Sequence, residues 1–189
     1  MGFFDDLPAP APAPPRRHHP WEPPEAEFPG IVPIRTLLLV RTDQAAVAVT
    51  GLSAFSAGIE IFLTARIRSG AGHAEEHLPG GPRDLAASRR SFRLGLQFAD
   101  GGKAAGSPGG RRDRDSEPAG PVLYPIAGGG GPHSFVSRWW SWPLPPAGPL
   151  EFVCEWPAFG IAESRAGIDA ELILDAAGRS VALWPEDED

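Results

Sequence analysis

The residues whose spacing most resembles a catalytic motif are His73-Ala74-Glu75-Glu76-His77. The string matches H-x-x-E-H, an inverted zinc-hydrolase pattern. In that chemistry two histidines one helical turn apart would hold a zinc ion, and Glu76 would act as general base toward its bound water. A distant carboxylate, Glu151 or Glu155, would have to complete the ligand set. The context argues against this reading. Gly70 and Gly72 precede the string and Pro79 to Pro82 follow it, so no long helix can carry both histidines. A small metal-dependent hydrolase using His73, Glu76 and His77 is therefore kept as an alternative only, and we expect no cofactor.

Other nucleophilic arrangements are weaker. No G-x-S-x-G is present, the nearest string being Gly51-Leu52-Ser53-Ala54-Phe55. Gly128 to Gly131, ahead of His133 and Ser134, would supply backbone donors to an oxyanion if it formed a loop. A turn between strands is the simpler reading. The single lysine, Lys103, precedes Ala104 and belongs to no phosphate-binding motif. The single cysteine, Cys154, sits among alternating apolar residues and is expected to be buried and inert. One cysteine builds neither a disulfide framework nor a cysteine-based zinc site.

The most unusual feature is aromatic. Trp139, Trp140, Trp142 and Trp156 crowd into eighteen residues. On a strand Trp139 and Trp140 face opposite sides, so one joins the core while Trp140 and Trp142 share the other face. That face is either covered by the chain itself, for instance by a C-terminal helix, or left open as a platform for a protein or for sugar rings. A second candidate contact is Phe3-Phe4, which stands ahead of the proline-rich run PAPAPAPP at residues 8–15. Pro12 to Arg17 also fits a P-x-x-P-x-R ligand pattern, which proline-rich spacers match by composition alone. The expected partner-binding residues are thus Trp140, Trp142, Phe3 and Phe4.

The elements that must position these residues follow from periodicity. Gly58 to Arg68 alternates over eleven residues, with Ile59, Ile61, Leu63, Ala65 and Ile67 on one face. Ser91 to Asp100, Ser134 to Trp142 and Leu150 to Trp156 read as further strands. Leu37 to Val40, Ala45 to Thr50, Val122 to Ile126 and Ile161 to Asp169 complete the set. Asp169 is placed to cap a short helix bearing Leu172, Ile173, Ala176 and Ala177 on one face, with Gly178 at its end. A hairpin turning at Ala177-Gly178 competes with it. Val181 to Trp184 should pack back. Seven or eight short strands with one short C-terminal helix predict a mainly β fold, an antiparallel β-sandwich of immunoglobulin-like size. A partly open barrel is the competing architecture.

The chain carries 23 glycines and 23 prolines in 189 residues. Ten of the prolines fall in residues 1–33 and ten of the glycines in 101–132. We therefore expect a disordered proline-rich arm over 1–29, a sandwich domain over 30–185 with a disordered insertion at 101–120, and an acidic tail at 186–189. The net charge of −7 is uneven: −3 in residues 1–29, +4 in 30–150 and −8 in 151–189. Arg66, Arg68 and Arg93 could line one outer sheet face, but Glu60 shares the strand of Arg66 and Arg68, so no nucleic-acid partner is expected. No apolar run is long enough for a spanning helix and residues 1–10 lack a secretory pattern, so a cytoplasmic location without membrane attachment is expected. The expectation for function is a non-enzymatic binding or scaffold module for a protein partner, with self-association included. A carbohydrate-binding module using the tryptophan platform is a further alternative.

Overall fold

The computed structural model describes residues 18–70, 90–106 and 117–184. Its strands are β1 (Glu27–Phe28), β2 (Gly30–Ile31), β3 (Leu37–Arg41), β4 (Ala45–Ala54), β5 (Ile59–Ile67), β6 (Arg93–Gln97), β7 (Lys103–Gly106), β8 (Val122–Gly131), β9 (Ser134–Trp142), β10 (Pro149–Trp156), β11 (Ile161–Asp169) and β12 (Val181–Ala182). A helix, α1 (Glu171–Ala177), precedes β12.

Two antiparallel sheets form the sandwich. The larger runs β2-β4-β5-β9-β8, and β3 also pairs with β4; the smaller runs β11-β10-β6-β7. The alternation that predicts each strand also fills the space between them. Val49, Ile59, Ile61, Leu63 and Trp139 point inward from the large sheet, and Leu94, Leu96, Phe152, Cys154 and Trp156 point inward from the small one. Burying side chains of this size stabilises by about 1.5–3 kcal/mol each. The sheets also draw together at both lateral edges. Ser164 Oγ on β11 donates to the Leu39 carbonyl on β3 at 2.7 Å. On the other side, a Cβ on Gly106 of β7 would stand 2.6 Å from the Leu123 carbonyl oxygen of β8, an approach open only to glycine.

The helix reading is correct and the hairpin alternative is not. Asp169 Oδ1 accepts from the Glu171 amide at 3.0 Å, so its side chain satisfies one of the helix's free N–H groups. Ile173 and Ala176 are buried, and α1 packs on β2, β4 and β11.

Three expectations need correction. The arm does not extend through residue 29: residues 18–28 pack on the domain, and β1 pairs with β12, Phe28 opposite Val181. Within the insertion expected at 101–120, Lys103 to Gly106 forms β7 and pairs with β6, which extends the small sheet by one strand. Gly128 to Gly131 is not a loop but the second half of β8, paired with Ser137 to Ser134 of β9. Pairing with β9 overrides glycine's poor strand propensity there, and a built Cβ on Gly130 would meet the Ser134 carbonyl oxygen at 2.1 Å, so that position admits only glycine.

Candidate functional site

The face assignment of the tryptophans holds. Trp139 enters the core, where its Nε1 donates to Ser137 Oγ at 2.9 Å. Trp140 lies on the outer face of the large sheet, in a row with Ser53, Glu60 and Tyr124. It is nevertheless fully buried, with 0 % exposure. Its cover is not the C-terminal helix but the strap formed by residues 18–28. Trp140 Nε1 donates to the Trp21 carbonyl at 2.9 Å, and the Phe55 ring meets the indole edge-on at 5.6 Å. Trp140 is therefore unavailable as a partner platform, and Trp142 is half-buried.

The strap has internal order despite its prolines. His19 stacks on Trp21, with centroids 4.6 Å apart and planes 7° from parallel. The Glu22 amide donates to the His19 carbonyl at 3.0 Å, and the His19 amide donates back to Glu22 Oε2 at 3.3 Å. Farther along, the Glu27 carboxylate accepts from the amide and the hydroxyl of Ser56, each at 2.6 Å. Pro20, Pro23 and Pro24 drew this segment into the expected arm; the contrary signal is a Trp and a Phe among those prolines.

Phe3 and Phe4, and the string His73, Glu76 and His77, lie outside the described residues. The carboxylates nominated to complete a zinc site are engaged with arginines. Arg165 pairs with Glu151 at 2.8 Å and with Glu163 at 2.8 Å, and Arg93 pairs with Glu155. Among the described residues no group of three or more potential ligands is arranged around a common point. Cys154 is buried as expected. Burial, reinforced by Glu155, pushes its thiol up to about 12.

The two outer faces differ in chemistry. On the small sheet the face is charged: Arg165 reaches Gln97, Glu151 and Glu163, and Arg93 reaches Glu155. Arg93 is thus on a different sheet from Arg66, so the two cannot share a basic stripe. On the large sheet, Leu38, Ala48, Thr64, Val136 and Gly129 follow one another across the strands. The next row carries Gly51, Phe62, Arg138 and Ala127. The glycines of β8 leave an open groove of about 490 Å³ beside Phe62, Val136 and Arg138. Glu60, in the row that holds Trp140, pairs with the Arg138 that borders the groove. Burial lifts its carboxyl above the usual range, partly opposed by Arg138 at 3.8 Å.

A second apolar surface surrounds the β1–β12 ribbon. Phe28 and Val181 are cross-strand neighbours, Trp184 follows β12, and Arg179 donates to the Ile31 carbonyl at 3.3 Å. Phe28, Ile31, Val181 and Trp184 are between 57 % and 69 % exposed, and they make up most of the exposed large hydrophobics among the described residues. The expectation that Val181 to Trp184 packs back fails for Val181 and Trp184, whose side chains stay exposed although β12 pairs with β1, and Phe28 lies on this surface rather than in the expected arm. No protein-family model, curated protein or solved structure matches the chain.

Proposed function

We propose that the protein is a non-enzymatic binding module that holds a protein partner against the ribbon formed by Glu27–Phe28 and Val181–Ala182. The observation that carries this reading is that Phe28 and Val181 face each other across the ribbon with Ile31 and Trp184 a few residues beyond them in the chain, each of the four more than half exposed. Scattered surface hydrophobics need no explanation, but a group of large ones is a usual mark of a protein-interaction surface. The backbone supports the role as well. A two-residue ribbon satisfies few of its own peptide groups and offers the rest to an incoming chain. The ion-paired face of the small sheet favours solvent over a partner.

Affinity capture from native cell extract tests the reading. Wild-type protein should retain a specific protein, and the variant Trp184→Ala with Val181→Ser should lose at least tenfold of it while keeping the wild-type Tm. Retention undiminished by the double substitution overturns the reading.

A further inference from the structure

We propose that the free edge of β8 between Ala127 and Gly131 binds an extended segment of another protein as an added antiparallel strand, and that it selects segments with two acidic residues four apart and an apolar residue midway between them. This does not rest on the ribbon as a partner surface; it concerns a different edge of the molecule.

The edge is open and the floor beside it is bare. β8 ends the large sheet, and among the described residues its second edge pairs with no strand. Gly106 of β7 approaches it at Leu123, but Ala127 to Gly130 are exposed. Every second residue of such an edge turns its peptide N–H and C=O toward an incoming chain. Edges are commonly closed by charged side chains or by proline, whereas the four glycines from Gly128 to Gly131 carry nothing that blocks pairing. Main-chain bonds then give affinity and alternate side chains give specificity. Those side chains lie over bare backbone and reach β9. Opposite Gly129, a side chain meets the groove of about 490 Å³ that holds Phe62 and Val136, the latter 51 % exposed. Opposite Ala127 the row leads to Arg138, and opposite Gly131 it leads to Ser134 and Arg66.

Charge and spacing select the occupant. Arg138 is half-exposed and meets Glu60 only at 3.8 Å. Arg66 donates to Ser134 Oγ, a neutral acceptor, which holds its guanidinium over β9 on the side toward β8. The two rows are four residues apart, about 13 Å along a strand, and acidic residues four apart on an added strand keep that spacing on one face. The added strand stands about 10 Å from β9, two strand spacings, a gap that arginine and glutamate side chains close above residues bearing at most a methyl group. The same pattern excludes the chain itself and a second copy of it. Two acidic residues four apart around an apolar one occur twice in the sequence, at Glu151, Val153 and Glu155 and at Glu171, Ile173 and Asp175. The first set lies in β10, paired on both sides by β6 and β11, and the second lies in α1 with Ile173 buried. Neither is free to join β8, so the segment comes from a different protein.

Fluorescence anisotropy of a labelled nine-residue peptide with the full chain tests this. The peptide carries isoleucine at its centre, glutamate two positions to either side and threonine elsewhere. It should bind saturably, and its counterpart with lysines in place of the glutamates at least tenfold more weakly. Of two versions N-methylated at alternate positions in opposite phase, one should lose binding and the other keep it, because only one edge of the peptide pairs with β8. Arg138→Glu with Arg66→Glu should reverse the preference, so that the lysine peptide binds more tightly. A Cβ on Gly129 meets nothing within 4 Å, so Gly129→Val should keep or raise Tm while filling the groove floor and weakening the glutamate peptide at least tenfold. If it lowers Tm, the charge reversal decides. A glutamate peptide that does not bind overturns the proposal, as does one that binds no better than the lysine peptide or equally well in both methylated phases. A full chain that sediments as a dimer and is dissociated by Gly129→Val would put a second copy on the edge and overturn it as well.

Discussion

The indole nitrogen of Trp140 and the carbonyl oxygen of Trp21 are joined by a hydrogen bond of 2.9 Å across 119 positions of sequence. This contact fastens the strap to the large sheet and turns an outward-facing tryptophan into a buried one. Replacing Trp21 by Ala removes the His19 stacking partner and loosens the strap whose carbonyl holds Trp140. We expect a loss of about 2 kcal/mol, below the 3–5 kcal/mol of a fully buried aromatic because Trp21 is half-buried. Chemical denaturation measures the loss. A red shift of the tryptophan emission should accompany it, and proteolysis should then cut within residues 18–28 before the rest of the domain.

Gly30 shows a different kind of constraint. A Cβ there would stand 1.9 Å from the carbonyl oxygen of Ala176, so α1 sits against bare backbone. Gly30→Ala must push the helix off β2 and β4. The expected cost is about 2–3 kcal/mol, in the range of overpacking a well-filled core. Thermal unfolding should show a Tm lower by several degrees, whereas Gly178→Ala, whose added Cβ meets nothing closer than 3.7 Å, should change little.

Strands such as β5, β6 and β10 were legible in the sequence because their inward and outward residues alternate. Ser134 to Trp142 and Ile161 to Asp169 form strands over the expected spans. The helix was legible from Ile173 and Ala176, whose spacing suits a buried face, while the cap falls on Ala170, one residue after the expected Asp169, whose carboxylate still accepts from the Glu171 amide. What escaped the reading depends on contacts distant in sequence. Gly128 to Gly131 becomes a strand because β9 supplies its hydrogen-bond partners. Trp140 bonds the Trp21 carbonyl of the strap, 119 positions away, and no local pattern connects the two. The ribbon patch arises only when Phe28 and Val181, at opposite ends of the domain, are paired.

Ser141 is fully buried, and its hydroxyl has no hydrogen-bond partner among the described residues. An unsatisfied buried polar atom carries its full desolvation penalty. Ser141→Ala removes that atom and leaves a small side chain facing the core, so it should be neutral or stabilising, by up to about 1 kcal/mol. A Tm below that of the wild type would show that the hydroxyl holds a bond in solution.

Glu60 should make stability depend on pH in an unusual direction for a carboxylate. Its value is raised from 4.5, chiefly by burial, with Arg138 acting the other way. The folded state therefore binds the Glu60 proton more tightly than the unfolded chain does. The stability this group contributes is fully present below the unfolded value near 4.5 and is lost as pH rises through the higher folded value. Glu60→Gln keeps the shape and removes the charge, so it should raise Tm at neutral pH, and the advantage should shrink as pH falls toward 4.5. An advantage that instead grows on acidification would mean that the Arg138 pairing outweighs burial.

Cys154 supplies the opposite end of the pH scale. With its thiol pushed up to about 12, the folded protein holds almost no thiolate at pH 8, while the unfolded chain titrates near the ordinary value of 9.0. The side chain is also 2 % exposed. Alkylation by iodoacetamide at pH 8 should therefore be limited by unfolding, with native protein reacting at least a hundredfold more slowly than protein in denaturant. Linkage adds a second consequence: the stability held by the protonated thiol is complete below pH 9 and declines between 9 and 12 as the unfolded chain ionises. Cys154→Ser would remove that decline, and it would also place a hydroxyl opposite Leu94 in an apolar layer, costing about 1–3 kcal/mol at neutral pH. Cys154→Ala is the cleaner comparison. Its stability profile should run parallel to that of the wild type up to pH 9 and fall less steeply above it.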